Sequence, residues 1–293
     1  MAESLENIKF DYAQVGGVRL HYATAGDGDR LVVMLHGFPE SWYSWRHQIN
    51  ALSDEYTIVA PDMRGYNLSD KPVNVSDYKI DKLVDDVTGL INHFGRENAA
   101  IVGNDWGAAV GWSLAEKHPE YVWKFAAMQV PPPAVWRKNM TLRQLLASWY
   151  MFFFQIPRLP EFILERNDFA SLENALRNTT WEKGVFTDED IAEYKKAWSE
   201  PHALTAMINY YRANVLSRFI SLPAEQKKIT VPTVFIYGDH DHAIMRETVK
   251  NINEAMDAPY DEFHIPNSGH WVQQEAPETV TAILRDFLAE KTD

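Results

Sequence analysis

The chain has 293 residues, which suffices for one large domain or for one domain that carries an insertion. Hydrophobic residues make up 46% and charged residues 24% of the chain, proportions that are ordinary for a soluble globular protein. The formal net charge of −13 argues against nucleic acid and anionic membranes as main partners.

The sequence contains no cysteine, which excludes disulfides, a thiol nucleophile and cysteine-ligated zinc, and which fits a reducing compartment. Residues 1–9 include charged side chains and no apolar run, so they do not resemble a secretory signal. The most apolar stretch, Leu145–Ile156, is far shorter than the roughly 20 residues that a membrane-spanning helix needs. We therefore expect a cytoplasmic protein without a membrane span.

A hairpin is predicted near the start of the chain, where Phe10–Gln14 and Val18–Ala23 flank two glycines. Short apolar runs of the kind that form buried parallel strands follow it and alternate with amphipathic helical patterns. These runs are Leu31–Leu35, Thr57–Ala60, Ala99–Val102, Phe125–Met128, Thr233–Tyr237 and Glu262–Ile265. The clearest helical patterns begin near Ile80 and at Pro277. The alternation predicts an α/β fold with a mostly parallel eight-stranded sheet flanked by helices.

The alternation stops after the sixth predicted strand, where three consecutive prolines break the chain. About ninety residues then have mostly helical patterns, and Thr187 with Asp190 predicts a helix-start capping box. We therefore predict a core made of residues 1–130 and 223–293, with residues 131–222 inserted into it as a helical cap.

The segment most indicative of chemistry is Gly-Asn-Asp-Trp-Gly at residues 103–107, between a predicted strand and a predicted helix. A nucleophile elbow has this form, because it is a strained strand-to-helix turn with small residues flanking the nucleophile. The turn presents its central residue, here Asp105, at a helix N-terminus, where the helix dipole favours negative charge. The alternative is a surface turn in which Asp105 only caps a helix.

A second segment, His36–Pro39, directly follows the predicted strand Leu31–Leu35. In folds with a nucleophile elbow, this loop supplies one backbone N–H to an oxyanion hole, and the residue after the nucleophile supplies the other. The arrangement predicts Phe38 and Trp106 as the two donors. Taken alone, the segment also fits an ordinary glycine-proline turn.

His270 is the candidate general base, because a loop after the last predicted strand can reach the elbow. The acid is expected between nucleophile and base, since this is the chain order in α/β hydrolases. Asp239 and Asp241 compete for that role after the preceding strand. We favour Asp241 and expect Asp239 to hold the turn. His240 and His242 lie beside them without a clear third ligand, so we predict no metal site.

Four segments together closely resemble the epoxide hydrolases of the α/β-hydrolase family. They are His36–His47, Asp62–Tyr66, Gly103–Gly107 and Ser268–Trp271. The resemblance covers most of the core, and an aspartate at the elbow sets the chain apart from the serine esterases. It implies an α/β-hydrolase fold with a cap, no cofactor, and Asp241 as the acid of the triad.

Haloalkane and fluoroacetate dehalogenases also use an aspartate nucleophile, and a dehalogenase is therefore the alternative function. Haloalkane dehalogenases usually carry asparagine at the position of Phe38, where it holds the departing halide. Fluoroacetate dehalogenases usually carry arginine directly after the nucleophile, where this chain has Trp106. Neither the halide-binding nor the carboxylate-binding residue is evident in this sequence.

Epoxide hydrolases hold the epoxide oxygen with two tyrosines of the cap. The resemblance implies Tyr211, within Asn-Tyr-Tyr-Arg at residues 209–212, and Tyr150, which precedes a Phe-Gln-Ile-Pro segment at residues 154–157. On a helix Tyr210 and Tyr211 point about 100° apart, so only one of them can face the site. Packing within an aromatic-rich cap is the alternative role of both predicted tyrosines.

The predicted function is an epoxide hydrolase in which Asp105 attacks an epoxide carbon and forms a hydroxyalkyl ester. Water activated by His270 and Asp241 would then release a vicinal diol. The expected substrate is a small hydrophobic epoxide in a largely apolar pocket. The residues expected to bind it are Phe38, Trp106, Tyr150 and Tyr211. We expect a monomer or homodimer; a non-catalytic receptor and a serine-type esterase are the rival classes.

Overall fold

An eight-stranded sheet lies at the centre of the computed structural model, which describes residues 7–220 and 227–290. The strands are β1 (Lys9–Val15), β2 (Val18–Ala25), β3 (Leu31–Leu35), β4 (Thr57–Pro61), β5 (Ala99–Asn104), β6 (Val122–Met128), β7 (Thr233–Gly238) and β8 (Tyr260–Ile265). Their order in the sheet is β1-β2-β4-β3-β5-β6-β7-β8. β2 pairs antiparallel with β1 and β4, and the other pairs are parallel. The predicted sheet is confirmed, and every predicted strand lies within an observed one.

Helices follow the strands and also fill the insertion. They are α1 (Arg46–Leu52), α2 (Ile80–His93), α3 (Trp106–Lys117), α4 (Pro133–Lys138), α5 (Leu142–Ala147), α6 (Trp149–Phe153), α7 (Leu159–Asn178), α8 (Asp188–Ser199), α9 (Ala203–Ile220), α10 (Val272–Glu275) and α11 (Pro277–Ala289). Across the described part of the chain, none of them combines the length and apolar character that crossing a bilayer would require.

Both faces of the sheet are buried, because successive side chains of a strand point to opposite faces. On β3, Val33 belongs to one apolar cluster and Val32 to the other. The first cluster includes side chains of α2 and α3, and the second includes side chains of α1 and α11. The near-continuous apolar strands of the sequence follow from this burial on both faces.

Helices α4–α9 lie between β6 and β7, so the predicted helical insertion after the sixth strand is confirmed. The predicted capping box is also present, since Thr187 Oγ1 accepts from Asp190 N at 3.1 Å and Asp190 Oδ2 accepts from Thr187 N at 2.9 Å. Helix α7 is kinked where residues 166–169 leave the helical conformation. The predicted end of the cap, Leu222, lies outside the described residues, and the exact division into core and cap stays a prediction.

The insertion rests on loops that follow the strands of the core. The Trp198 indole donates to the backbone carbonyl of Pro39 at 2.6 Å, and the Tyr210 hydroxyl donates to that of Arg64 at 2.7 Å. Pro39 lies in the loop that follows β3. The cap therefore lies over the carboxyl ends of the parallel strands, where the predicted site residues are found.

Candidate active site

Asp105 occupies the sharp turn between β5 and α3. Its backbone has φ +51° and ψ −117°, a conformation that L-residues rarely adopt and that is typical of a nucleophile elbow. Gly107 makes the turn possible, because a Cβ atom there would lie 2.0 Å from the Leu35 carbonyl oxygen on β3. The helix must therefore approach the sheet closely, and this places Asp105 above the ends of the strands.

The loop after β3 holds one oxygen of the Asp105 carboxylate. Phe38 N donates to Asp105 Oδ1 at 2.9 Å, and a Cβ atom at Gly37 would lie 2.4 Å from the same oxygen. His36 fixes this loop, since its Nε2 accepts from Met63 N at 3.0 Å and its Nδ1 lies 3.0 Å from the Gly37 carbonyl oxygen. Burial lowers the pKa of His36, which keeps the ring neutral and suits this pair of bonds.

Trp106, the other predicted oxyanion donor, is the first residue of α3 and directly follows Asp105. Both predicted backbone donors thus stand next to the elbow. Because Phe38 N donates to Asp105 Oδ1, this is the oxygen on which the predicted oxyanion donors would stabilise negative charge.

His270 lies between two carboxylates. Its Nδ1 is 2.7 Å from Asp241 Oδ2, and its Nε2 is 3.5 Å from Asp105 Oδ2. Asp241 is itself fixed, because its Oδ1 accepts from the backbone N–H groups of Ala243 at 2.6 Å and Ile244 at 2.9 Å. The structure therefore brings together the three residues of the predicted triad.

The expectation that Asp239 holds this turn is wrong. Asp239 Oδ1 instead lies 2.9 Å from His264 Nδ1 at the sheet edge, and Asp241 both holds the turn and orients His270. One carboxylate can do both because its two oxygens face different partners. His240 stacks on Trp181, with ring centroids 3.7 Å apart.

The charges around His270 determine its protonation. Burial opposes a charged ring, but the carboxylates of Asp241 and Asp105 outweigh burial and raise the pKa of His270 well above its usual range. In the resting site the two carboxylates therefore favour the protonated form of the ring. Removal of either negative charge would lower its pKa.

The two predicted tyrosines face Asp105 from the cap. Tyr150 and Tyr211 pack with ring centroids 5.8 Å apart, and Tyr211 also packs edge-on against Phe38 at 5.5 Å. Burial and then the Asp105 charge raise the pKa of both phenols, so both hydroxyls stay protonated. Tyr210 points elsewhere and donates to Arg64, so Tyr211 is the tyrosine of this pair that faces the site.

Two cavities meet at Asp105 and Tyr211. The wider one has a volume of about 610 Å³ and also contacts His270, Tyr150 and Phe38. The narrower one has a volume of about 80 Å³ and is lined by apolar side chains that include Trp106, Trp136 and Met151. Four aromatic side chains of the apolar stretch Leu145–Ile156 line the wider cavity: Trp149, Tyr150, Phe153 and Phe154.

Glu40 is a titratable group at the site that the sequence patterns did not single out. Its side chain is buried and accepts from Gln274 Nε2 at 2.5 Å, with Gln273 Nε2 3.3 Å from each carboxylate oxygen. Burial raises its pKa to about 8, and the charge of His270 acts in the opposite direction. Its position directly after the His36–Pro39 segment was the available signal, but its burial depends on glutamines more than 200 residues away.

With this geometry established, comparisons with known proteins identify the family. A family model described as the alpha/beta hydrolase fold matches residues 30–277. The protein named Epoxide hydrolase 4 of Mus musculus is 36% identical over 94% of this chain and 78% of its own length. The chain belongs to the epoxide hydrolase family of α/β hydrolases. The fold and family predicted from the sequence are thereby confirmed.

Two further proteins are similar to this chain over nearly their whole length. The AB hydrolase superfamily protein YfhM of Bacillus subtilis is 40% identical over 97% of this chain and 99% of its own. The crystal structure of the epoxide hydrolase of Bacillus megaterium in complex with an inhibitor is 33% identical and superposes with a TM-score of 0.88. That alignment covers 96% of this chain and 100% of the other.

Proposed function

We propose that the chain is an epoxide hydrolase, which converts an epoxide and water into a vicinal diol through a covalent ester on Asp105. The setting of the Asp105 carboxylate carries this proposal. One oxygen accepts from Phe38 N, the other lies 3.5 Å from His270 Nε2, and the cavity above them is lined by Tyr150 and Tyr211. Nucleophile, oxyanion donor, base and phenol donors are the groups that two-step epoxide opening requires.

In the first step Asp105 Oδ2 attacks a saturated carbon of the epoxide and the carbon–oxygen bond of the ring breaks. A carboxylate can do this without losing a proton first, which explains why aspartate stands at the elbow. The leaving oxygen develops negative charge and takes a proton from a tyrosine hydroxyl. Tyr150 and Tyr211 suit this role, because both line the cavity above Asp105 and their raised pKa values keep both hydroxyls protonated before the ring opens.

In the second step water attacks the Asp105 carbonyl carbon, and His270 accepts one proton of that water. The bond between the carbonyl carbon and Oδ2 then breaks, and His270 returns this proton to the leaving oxygen of the diol. The other water proton recharges the ring as the Asp105 carboxylate forms again.

Ester formation neutralises Asp105 and so removes one of the charges that raise the pKa of His270. The pKa of His270 therefore falls in the intermediate, and the proton that the ring releases restores the tyrosine hydroxyl that was consumed in the first step. The ring is then a base when water attacks. The oxyanion forms on Oδ1, where Phe38 N–H already donates, and such a donor is worth roughly 3–4 kcal/mol in comparable sites.

The route of the oxygen atoms tests this proposal. After a single turnover in heavy-oxygen water, we expect one heavy oxygen in the Asp105 carboxylate and none in the diol. Both are measured by mass spectrometry of the diol and of the peptide that contains Asp105. Direct attack of water on the epoxide would instead label the diol in the first turnover and leave Asp105 unlabelled, and this would overturn the proposal.

Two variants and a substrate panel complete the test. Asp105→Ala should abolish diol formation, whereas Asp105→Asn can regain activity slowly by self-hydrolysis and is therefore followed over time. The panel pairs hydrophobic epoxides with haloalkanes, since a dehalogenase would use the same three residues. Halide release from haloalkanes without diol from any epoxide would favour the dehalogenase alternative.

The apolar lining of both cavities supports a hydrophobic epoxide as the substrate. A cytoplasmic location, and a monomer or homodimer, stay predictions from the sequence.

A further inference from the structure

The carboxylate of Glu275 binds the backbone on both sides of His270. Its Oε2 accepts from Gly269 N at 3.0 Å, and its Oε1 accepts from Trp271 N at 3.1 Å. A third N–H, that of Trp181 in the cap, donates to Oε2 at 2.7 Å. Glu275 is the last residue of α10, which begins two residues after His270. One side chain therefore holds the backbone at the residue before His270 and at the residue after it, and so restricts where the His270 ring points.

The rest of this loop is held by other partners. The Ser268 carbonyl accepts from His240 N at 2.9 Å, and the Gly269 carbonyl accepts from the side-chain amide of Gln129. The carbonyl groups are thus bound by the core, whereas the flanking N–H groups depend on Glu275. No other hydrogen bond of the described residues takes the N–H groups of Gly269 and Trp271.

The cap reaches the same place through the segment Thr179–Trp181, between α7 and α8. The Trp271 indole donates to Thr179 Oγ1 at 2.8 Å, and the Trp181 ring stacks on His240, next to Asp241. Trp181 N completes the contact by donating to Glu275. This cap segment therefore contacts both loops that carry the base and its acid partner.

We propose that Glu275 is a positioning residue for the second half-reaction, which holds the His270 ring against Asp241 and links that geometry to the cap. The inference rests on the proposed function, because a separate ester hydrolysis step exists only in a two-step mechanism. His270 takes part in hydrolysis and not in the attack of Asp105 on the epoxide. A fault in its position therefore slows hydrolysis and leaves alkylation largely unchanged.

A carboxylate is required because both of its oxygens accept hydrogen bonds. In Glu275→Gln, one oxygen becomes an amide group that carries only donors. If the amide oxygen keeps its bonds from Gly269 N and Trp181 N, the amide nitrogen faces the N–H of Trp271 and one hydrogen bond is lost. In the opposite orientation the bonds from Gly269 N and Trp181 N are both lost. The variant is isosteric, so it removes the support on one side of His270 without creating a cavity.

The experiment compares Glu275→Gln with Glu278→Gln, which makes the same change on an exposed residue three positions along the chain. Alkylation and hydrolysis rates are measured in single-turnover reactions with styrene oxide, and the covalent ester is quantified by intact-protein mass spectrometry. We expect hydrolysis in Glu275→Gln to slow on the order of 10-fold, since small misplacements of catalytic groups are costly. Alkylation should stay within about 2-fold of wild type, so the ester should accumulate during turnover.

Glu278→Gln should match wild type in both rates. A His270→Gln variant provides the reference for complete loss of the base and should trap the ester. If Glu275→Gln slows both steps equally, or lowers only thermal stability without ester accumulation, its role is structural and the inference is wrong. If wild type forms no diol and His270→Gln traps no ester, the proposed function fails and the inference falls with it.

Discussion

Glu40 carries a carboxyl group in a place where its charged form is disfavoured. The side chain is 1% exposed, and burial is the main cause that raises its pKa from 4.5 to about 8. Its hydrogen bonds from Gln274 and the charge of His270 only partly offset the loss of hydration. Between these two pH values the folded protein holds a proton that the unfolded chain has released.

This difference predicts that the contribution of Glu40 to stability falls as the pH rises from about 4.5 to about 8 and then levels off. The sign follows because the folded state binds more protons than the unfolded state in this window. At roughly 1.4 kcal/mol for each pH unit, the contribution could reach roughly 5 kcal/mol. Glu40→Gln removes the titrating group, so its stability relative to wild type should increase by several kcal/mol between pH 5 and pH 8.5.

Urea denaturation at both pH values measures this change. Glu97→Gln is the control, because Glu97 is exposed and the same substitution there should leave the pH dependence as in wild type. A constant difference between Glu40→Gln and wild type at both pH values would contradict a raised pKa at Glu40.

Asp105, Asp241 and His270 could be predicted individually because local motifs and chain order identify them. Glu40 and Glu275 could not be, since their roles depend on backbone and glutamine groups that folding brings to them. Both residues are acidic, and sequence patterns place acidic side chains on the surface by default. The burial of Glu40 and the contacts of Glu275 become evident only once the two glutamines after Trp271 and the cap segment have been placed.

At the scale of elements, the elbow depends on the close approach of α3 to β3. A Cβ atom at Gly107 would lie 2.0 Å from the Leu35 carbonyl oxygen and 2.8 Å from the Leu35 Cβ atom. The nearest atom belongs to the backbone of a central strand, so it cannot rotate away. Gly107→Ala must therefore move the helix, and Asp105 with it.

We expect Gly107→Ala to cost at least about 3 kcal/mol of stability and to lower the alkylation rate, because overpacking at backbone contacts is poorly relieved. Gly95→Ala is the control. Gly95 has a positive φ, of +65°, whereas Gly107 is helical, and a Cβ atom at Gly95 meets nothing within 4 Å. The Gly95 variant should therefore cost only about 1 kcal/mol, through its backbone conformation alone. Chemical denaturation compares the two variants, and a cost at Gly107 no larger than that at Gly95 would show that the close approach of α3 to β3 does not require glycine.

Element boundaries were less predictable than the elements themselves. The predicted sixth strand starts at Phe125, whereas β6 starts at Val122 and includes Lys124. Lys124 is buried within the sheet, and its ammonium group donates to the carbonyl oxygens of Phe287 and Glu290 at the end of α11. A lysine next to an apolar run predicts the end of a strand, so the first three residues of β6 were not predicted. Their place in the sheet depends on the contact of Lys124 with a helix terminus that is distant in sequence. The kink of α7 at residues 166–169 had no signal such as proline within it.

At the scale of the whole molecule, a buried ion pair joins the cap to the core. Arg46 of α1 and Asp190 of α8 lie 3.0 Å apart, and both side chains are less than 10% exposed. Tyr43 of the core also donates to Asp190 Oδ1 at 3.0 Å. The other oxygen of Asp190 accepts from Thr187 in the capping box, so one carboxylate connects a helix start to the core. We propose that residues 131–222 and the rest of the chain are coupled through such contacts and unfold together.

Asp190→Asn tests this coupling. The substitution keeps the size of the side chain but leaves the buried Arg46 guanidinium without its anion, and breaking one side of a buried pair typically costs about 3–5 kcal/mol. We expect a loss of this size in a single cooperative urea transition that is followed by both tryptophan fluorescence and circular dichroism. Glu189→Gln is the control, because Glu189 is an exposed acid in the same first turn of α8 and its substitution should change stability little.

The loss of stability in Asp190→Asn should persist in 0.5 M salt, where the Debye length is about 4 Å, since buried ion pairs are poorly screened. Two separated transitions would show that cap and core unfold independently, and a loss that disappears in salt would show that the pair acts as a surface contact.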